Sequence, residues 1–305
     1  MSNLPLWIVG SIGIDNIETP RARRTDLLGG SVTYACAAAS FFARTGAVGV
    51  VGSDFPASFL ERYQRFGMDL GGLQTQPGAT FRWSGVYEAD FINRRTLDTQ
   101  LGVFANFTPE LPESFRDAPF VLLGNIGPAL QAHVLDQVRG QPFVALDTMD
   151  LWIRIARPEL EAVIRRANLV TLNDAEVRLL TGRHNLLECA RAVLAMGPQY
   201  VVIKKGEHGA LLCSAAGISL IPAFPVEQVE DPTGAGDCFA GAFMGFLAQT
   251  RAARMDDALL RRALLYGSVV ASFGVESFST ERLERLEMSE IEERAQCLRQ
   301  MVALS

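Results

Sequence analysis

The sequence predicts an α/β protein built on a mostly parallel sheet with helices on both faces. Three observations carry this expectation. Short apolar runs of strand length alternate with longer helical stretches along 305 residues, the pattern of βαβ units whose crossover helices cover a parallel sheet. The composition is 49% hydrophobic and 20% charged, enough to bury a large core. Between residues 81 and 107 the alternation breaks, so one large domain with an insertion fits better than a string of small ones.

In chain order, core strands are expected over 6–10, 47–52, 120–123, 143–147, 169–172 and 200–204. The first, Trp7-Ile8-Val9-Gly10, is apolar throughout, as a strand buried on both faces requires. Helices are expected over 31–45, 55–66, 158–166, 174–180, 186–196, 234–249, 256–273 and 280–303. The small-residue run from Ala35 to Ser40 suits a helix packed closely on a sheet. Residues 200–212 read as a strand, a charged turn and a second strand. In the insertion, 81–87 and 101–107 are expected as strands around a polar turn region at 93–99. Phe81, Trp83 and Tyr87 fall on one face at period two. That face suits stacking on a flat ligand, and equally the interior of a small sheet or a subunit contact.

Composition narrows the function classes. A formal net charge of −6 without a dense Lys/Arg run argues against holding nucleic acid. The five cysteines, Cys36, Cys189, Cys213, Cys238 and Cys297, are dispersed, form no C-x-x-C pair and suit a reducing cytoplasm. Cys238 reads as a small buried hydrophobe. His133, His184 and His208 show no metal spacing, no segment is long and apolar enough to span a bilayer, and the N-terminus lacks signal-peptide order. A soluble cytoplasmic protein is the expectation. Neither a G-x-G-x-x-G fingerprint opening the first helix nor a G-x-x-x-x-G-K-[ST] loop is present, which sets aside dinucleotide oxidoreductases and P-loop kinases.

The chemistry concentrates in Asp231-Pro232-Thr233-Gly234-Ala235-Gly236-Asp237, which runs into an apolar helical segment. The first N–H groups of a helix have no internal acceptor and, with the helix dipole, favour negative charge. Gly234 and Gly236 let the backbone approach an anion, Ala235 keeps the loop narrow, and Asp237 places a base beside it. This is the arrangement of a phosphoryl-transfer site; the plainer alternative is a loop in which Thr233 or Asp237 caps the helix.

The segment resembles the second signature, D-T-x-G-A-G-D, of the ribokinase-like, or PfkB, carbohydrate kinase family, with Pro232 a departure. The resemblance implies a ribokinase-like three-layer sandwich: one kinase domain over 1–305, with a small β-sheet lid drawn from about 11–30 and 80–108. It implies Asp237 as general base and Gly234, Ala235 and Gly236 as anion hole. The other segments fit the same family. Asp15 stands where the family holds substrate hydroxyls, although an Asx turn at a strand end would use it equally well. Gly29-Gly30 stands where substrate lies against the backbone, and Tyr34 replaces the usual Asn, which puts the identity of the sugar in question. Residues 46–54 and 67–69 also follow the pattern.

In the second half, Asn173 and Glu176 resemble the N-x-x-E motif that organises Mg²⁺ and its waters, and they equally suit an ordinary helix start. Lys204 and Gly206 resemble the phosphate-side T-x-G-x-x-G stretch, with Lys in the Thr position as in some relatives. Solvated turn residues are the alternative there. Ser272, Gly274 and Val275 fall where the family binds adenine, with Thr233 also on the nucleotide side. Asp231 and Thr233 fall beside the position where relatives often bind K⁺. The resemblance therefore implies ATP and Mg²⁺, with K⁺ as an option, a small-molecule sugar or ribonucleoside acceptor phosphorylated on a hydroxymethyl group, and a homodimer through the lid. A sugar-phosphate kinase is the alternative within the family if Arg82, Arg94 or Arg95 enters the pocket. A non-catalytic binding protein is the alternative outside it, opposed by the intact Asp237 and Asn173/Glu176.

Overall fold

The computed structural model describes residues 4–250 and 255–303. Its main sheet has nine strands: β1 (Leu6–Val9), β4 (Thr45–Gly52), β5 (Asp69–Gln76), β8 (Phe120–Leu123), β9 (Phe143–Asp147), β10 (Leu169–Asn173), β11 (Tyr200–Lys204), β12 (Ala210–Ser214) and β13 (Gly217–Ile221). Their order is β13-β12-β11-β10-β9-β8-β1-β4-β5. The seven strands from β11 to β5 run parallel, and the hairpin-linked β12 and β13 are antiparallel.

Successive side chains leave a strand on opposite faces, and both faces are buried here. Leu6 and Ile8 point into one core, while Trp7 and Val9 point into the other. The first core is closed by α1 (Ser31–Ala39), α2 (Ala57–Arg65), α8 (Ala235–Thr250), α9 (Asp257–Gly274) and α10 (Met288–Val302). The second is closed by α3 (Pro128–Leu135), α4 (Asp150–Ile155), α5 (Arg157–Ile164), α6 (Asp174–Thr181) and α7 (Leu186–Leu194). The alternating strands and helices of the sequence thus form the three layers.

The α1–α8 contact sets where α8 begins. A Cβ on Gly241 would come within 2.1 Å of the Ala35 carbonyl oxygen, so only glycine lets the two helices pack this closely.

A second, four-stranded sheet has the order β3-β2-β6-β7, from β2 (Gly13–Glu18), β3 (Arg23–Gly29), β6 (Phe81–Tyr87) and β7 (Arg94–Gln100). One face buries Ile17, Leu27, Tyr87 and Phe278, with Trp83 packed against them.

The structure corrects several element expectations. The region 93–99, read as a polar turn, lies mostly within the edge strand β7 (Arg94–Gln100), which is exposed along its whole length and so carries no apolar alternation; its backbone pairs with β6. Residues 101–107, read as strand, contain a 3-10 turn over Gly102–Asn106. Val103, Phe104 and Phe107 pack together there beside Val50, at helical rather than strand spacing. The first helix stops at Ala39 because Thr45 already begins β4. The last helix starts at Met288, where Glu287 and Glu290 form a reciprocal capping box, instead of at 280. Helices α3 and α4 had no counterpart in the sequence reading.

Candidate active site

Three polar residues meet at the carboxyl ends of three adjacent strands. Asp147 ends β9, Asn173 ends β10 and Lys204 ends β11. Parallel register sets Asn173 level with Lys204, and Thr171 level with Asp147. The Thr171 hydroxyl donates to Asp147 Oδ1 at 2.7 Å. Lys204 Nζ reaches over the intervening strand to both Asp147 oxygens, at 3.1 and 3.2 Å, a span that needs the long lysine stem. Burial works against the Lys204 charge, but Asp147, Glu176 and Asp237 outweigh it and raise its pKa above the ordinary lysine value.

The loop before α8 meets this group. Gly234 has φ +76, and a Cβ there would lie 2.3 Å from the Tyr34 ring. Both facts require glycine. The Ala235 N–H closes the turn onto the Pro232 carbonyl at 3.2 Å, so the anion-hole role expected of Ala235 is not open to that amide in this conformation. Gly236 and Asp237 follow in the first turn of α8, where N–H groups find no acceptor earlier in the helix. A Cβ on Gly236 would come within 3.1 Å of Lys204 Nζ, so the ammonium lies directly against the loop. Asp237 is half-buried. Burial, reinforced by the Asp147 charge and opposed by Lys204 and Arg94, pushes its carboxyl up to about 7.

Asn173 and Glu176 bond to each other as a capping box: the Glu176 N–H donates to Asn173 Oδ1 and the Asn173 N–H donates to Glu176 Oε2, both at 2.7 Å. Burial raises Glu176 to about 7, with Lys204 opposing and Asp147 reinforcing. Among the described residues, no group of three or more His, Cys, Asp or Glu is placed to hold a metal.

The other side of the loop is built from the small sheet and α1. Ser11 and Ser31 exchange N–H to hydroxyl bonds at 3.0 and 3.1 Å, pinning the end of β1 to the start of α1. Gly30 precedes that helix at φ +96. The buried Asp15 lies so close to Gly29 that a Cβ there would meet Asp15 Oδ2 at 1.9 Å. Burial raises Asp15 to about 8, with the Asp231 and Asp237 charges adding and Arg94 opposing. Asp15 stands opposite Trp83 in the β2–β6 register. Tyr87, on the same face as Trp83, accepts a 3.0 Å bond from the Thr233 hydroxyl. The Tyr34 hydroxyl and Asp231 Oδ2 are buried without a hydrogen-bond partner among the described residues. Asp231 Oδ1 accepts from the Thr233 N–H at 2.9 Å. Burial raises Asp231 to about 6, with Thr233 and Ser279 opposing.

Beyond the loop opens a cleft of about 510 Å³ bordered by Lys204, Gly206, Ala235, Gly236, Ser272 and Val275. Gly274 does not border it; that residue faces Cys238, whose Sγ would lie 3.2 Å from a Cβ at 274. The Ser272 hydroxyl donates to the Val269 carbonyl at 2.6 Å and accepts from Arg294 at 2.9 Å. Of the three insertion arginines, Arg82 is bound to Asp26 at 2.9 Å and approaches Asp54 at 3.8 Å. Arg94 lies 5.8 Å from the Trp83 ring and acts on Asp15, Asp237 and Glu176. Arg95 stands one position further along β7, and alternation sends it to the opposite face. Asp147 was missed from sequence; its signal was a carboxylate closing an apolar strand beside the strand that ends in Asn173.

The model of the pfkB family carbohydrate kinases matches residues 15–285. A cytidine kinase of Thermococcus kodakarensis is 30% identical over 255 residues, covering 81% of this chain and 90% of that protein. The Burkholderia thailandensis nucleoside kinase, solved with inosine, shares the fold with a TM-score of 0.77 at 20% identity, covering 96% of this chain and 97% of that one. A structure from E. coli described as a ribokinase II with ATP and Mg²⁺ gives a TM-score of 0.77 at 19% identity, covering 96% and 99%. The chain belongs to the pfkB family of carbohydrate kinases. It is a ribokinase-family sugar or nucleoside kinase, a phosphotransferase with an alcohol acceptor, in a family that uses ATP with Mg²⁺.

Proposed function

We propose that this kinase transfers the γ-phosphoryl group of ATP to the hydroxymethyl group of a ribonucleoside, with Asp237 as general base. The observation that carries the reading is the contact of three elements: the Asp237 carboxylate in the first turn of α8, the Gly236 backbone beside it, and Lys204 Nζ against that glycine. Asp237 takes the acceptor hydroxyl proton as the oxygen attacks in line. The Gly234 and Gly236 amides and the Lys204 charge stabilise the oxygens of the group in transfer. Asp147 holds Lys204 in place and keeps it charged.

The 510 Å³ cleft suits the donor, since its size falls in the usual range for small-molecule sites and Lys204 stands at its phosphate end. Mg²⁺ takes oxygen ligands and is usually held by one or two carboxylates plus phosphate and water. Glu176, with Oε1 left over from the capping box, fits that demand, and Asn173 orients it. Bound there, Mg²⁺ would neutralise charge on the phosphates. The unpartnered, buried Asp231 Oδ2 fits a monovalent cation such as K⁺.

Asp15 binds acceptor hydroxyls against Gly29 and Gly30. The half-buried Trp83 stands on the same side as Asp15, backed by the buried Tyr87, and offers a flat apolar surface to a base. That sheet acts as the lid, within one kinase domain. A second reading, an acceptor carrying phosphate or carboxylate, is favoured by Arg94, whose charge reaches Asp15 and Asp237. ADP formation with Mg-ATP and K⁺ across ribonucleosides, neutral sugars and sugar phosphates tests both. The expected result is turnover with a ribonucleoside, absent in Asp237→Asn. Turnover confined to sugar phosphates and abolished by Arg94→Ala would establish the second reading instead.

A further inference from the structure

Most of the 510 Å³ cleft is built from β11, α8, α9 and the loop before α8, but one side comes from elsewhere. Asp90, Phe91 and Ile92, the turn joining β6 to β7, border it together with Lys204, Gly236 and Val275. We propose that this turn is a donor-binding element and that Phe91 packs against the bound nucleotide, so the small sheet closes on the donor as well as on the acceptor. This inference rests on the assignment of the cleft to ATP.

Burial separates Phe91 from its surroundings. From residue 88 to residue 100, every residue except Phe91 is exposed. The hairpin tip therefore lies open while one aromatic side chain turns in toward the cleft. Phe91 does so from a left-handed backbone, φ +56, a conformation that a bulky residue rarely adopts and that costs free energy. Something must hold the turn in that shape, and the Asp90 side chain does. Its Oδ1 accepts from the N–H groups of Ile92 and Asn93, each at 2.9 Å, and its Oδ2 accepts from the Asn93 side chain at 2.6 Å. Asp side chains commonly build turns in this way.

The hairpin is also tied to the phosphate loop. Tyr87, at the end of β6, accepts the bond from Thr233, two residues before Ala235. Arg94, at the start of β7, is near enough for its charge to favour the ionised Asp237 carboxylate. From Tyr87 to Arg94 the chain therefore leaves the anion loop, passes over the mouth of the cleft and returns to the catalytic carboxylates. An aromatic ring placed there can cover a base or ribose and exclude water from the phosphates behind it.

The test compares MgADP binding, without acceptor, in wild type, Phe91→Ala, Ala271→Trp and Leu97→Ala by calorimetry. Ala271 borders the cleft from α9, so filling the cleft at that position tests its assignment to nucleotide. Leu97 is 53% exposed on the same hairpin and serves as a control away from the cleft. The expected pattern is loss of binding in Ala271→Trp, a Kd raised on the order of 10-fold in Phe91→Ala, and an unchanged Kd in Leu97→Ala. In steady state, Phe91→Ala should raise the KM for ATP and leave that for the acceptor. An unchanged Kd in Phe91→Ala with binding lost in Ala271→Trp would overturn the role of the turn alone. Unchanged binding in Ala271→Trp would overturn the assignment of the cleft itself.

Discussion

Asp237→Asn should slow the enzyme and stabilise the protein, and the second effect should depend on pH. Asparagine keeps the shape of the side chain but cannot take a proton, so turnover should fall by about 10²- to 10⁴-fold, the usual contribution of a general base. The stability effect follows from the carboxyl pKa, raised from 3.8 to about 7 chiefly by burial. At about 1.4 kcal/mol per unit, the full shift amounts to about 4 kcal/mol of penalty against the ionised form. Because Asp237 is half-buried rather than enclosed, screening reduces this to about 1–2 kcal/mol.

The sign is that of an acid whose pKa is raised by folding: the wild-type protein carries no penalty below the unfolded value of 3.8, and the penalty is complete above 7. The variant should therefore melt higher than wild type by a few degrees at pH 8, at roughly 2–4 °C per kcal/mol, with the gap closing toward pH 4. Thermal melts across pH read this directly. In the wild type, kcat/KM should fall on the acid side with a midpoint near 7, because the free enzyme must hold the base ionised. Turnover within tenfold of wild type would refute the assignment of the base. A stability gain of equal size at pH 4 and pH 8 would refute the electrostatic account.

Gly234→Ala places a methyl group 2.3 Å from the Tyr34 ring at φ +76; it should lower kcat at least tenfold, and adding Tyr34→Ala should recover part of the loss, measured by ADP formation. Lys204→Met leaves Asp147 buried without its cation, so it should destabilise the protein by about 3 kcal/mol in denaturant unfolding. Adding Asp147→Asn should restore that stability and leave the lost turnover unrestored.

How far the sequence could be read depended on what each segment buries. The strands β8, β9 and β11 were legible to the residue because they bury both faces and read as unbroken apolar runs. The edge strand β7 was not, because every residue in it faces solvent and its place is set by pairing with β6. The same holds at the site. The loop residues 231–237 stood out because seven consecutive positions match one signature at a loop-to-helix junction. Asp147 was missed because its meaning comes from Lys204, 57 residues away and two strands over. Phe91 was missed because one aromatic residue in a polar turn carries no periodic signal. Arg94 could be named but not distinguished from Arg82 and Arg95 until the hairpin register separated them. Ser272 and Gly274 were grouped by sequence position, yet helical rotation turns Ser272 to the cleft and Gly274 to Cys238.

The placement of the site follows from the order in which the strands were laid down. From β1 the chain moves outward on one side through β4 and β5, then crosses back to place β8 against the other side of β1. Such a reversal leaves the loops at the strand ends diverging, and ligands of open α/β sheets bind in the crevice this creates. Helix α8 packs against both β1 and β8, so its first turn is delivered to that crevice. The close α1–α8 contact at Gly241 then brings Tyr34 against Gly234. This explains how an Asn position can hold tyrosine while the loop survives: the ring fills space beside Gly234 rather than entering the Asp237–Lys204 contact. On the proposed reading, the Tyr34 departure bears on the acceptor and leaves the Asp237–Gly236–Lys204 arrangement in place.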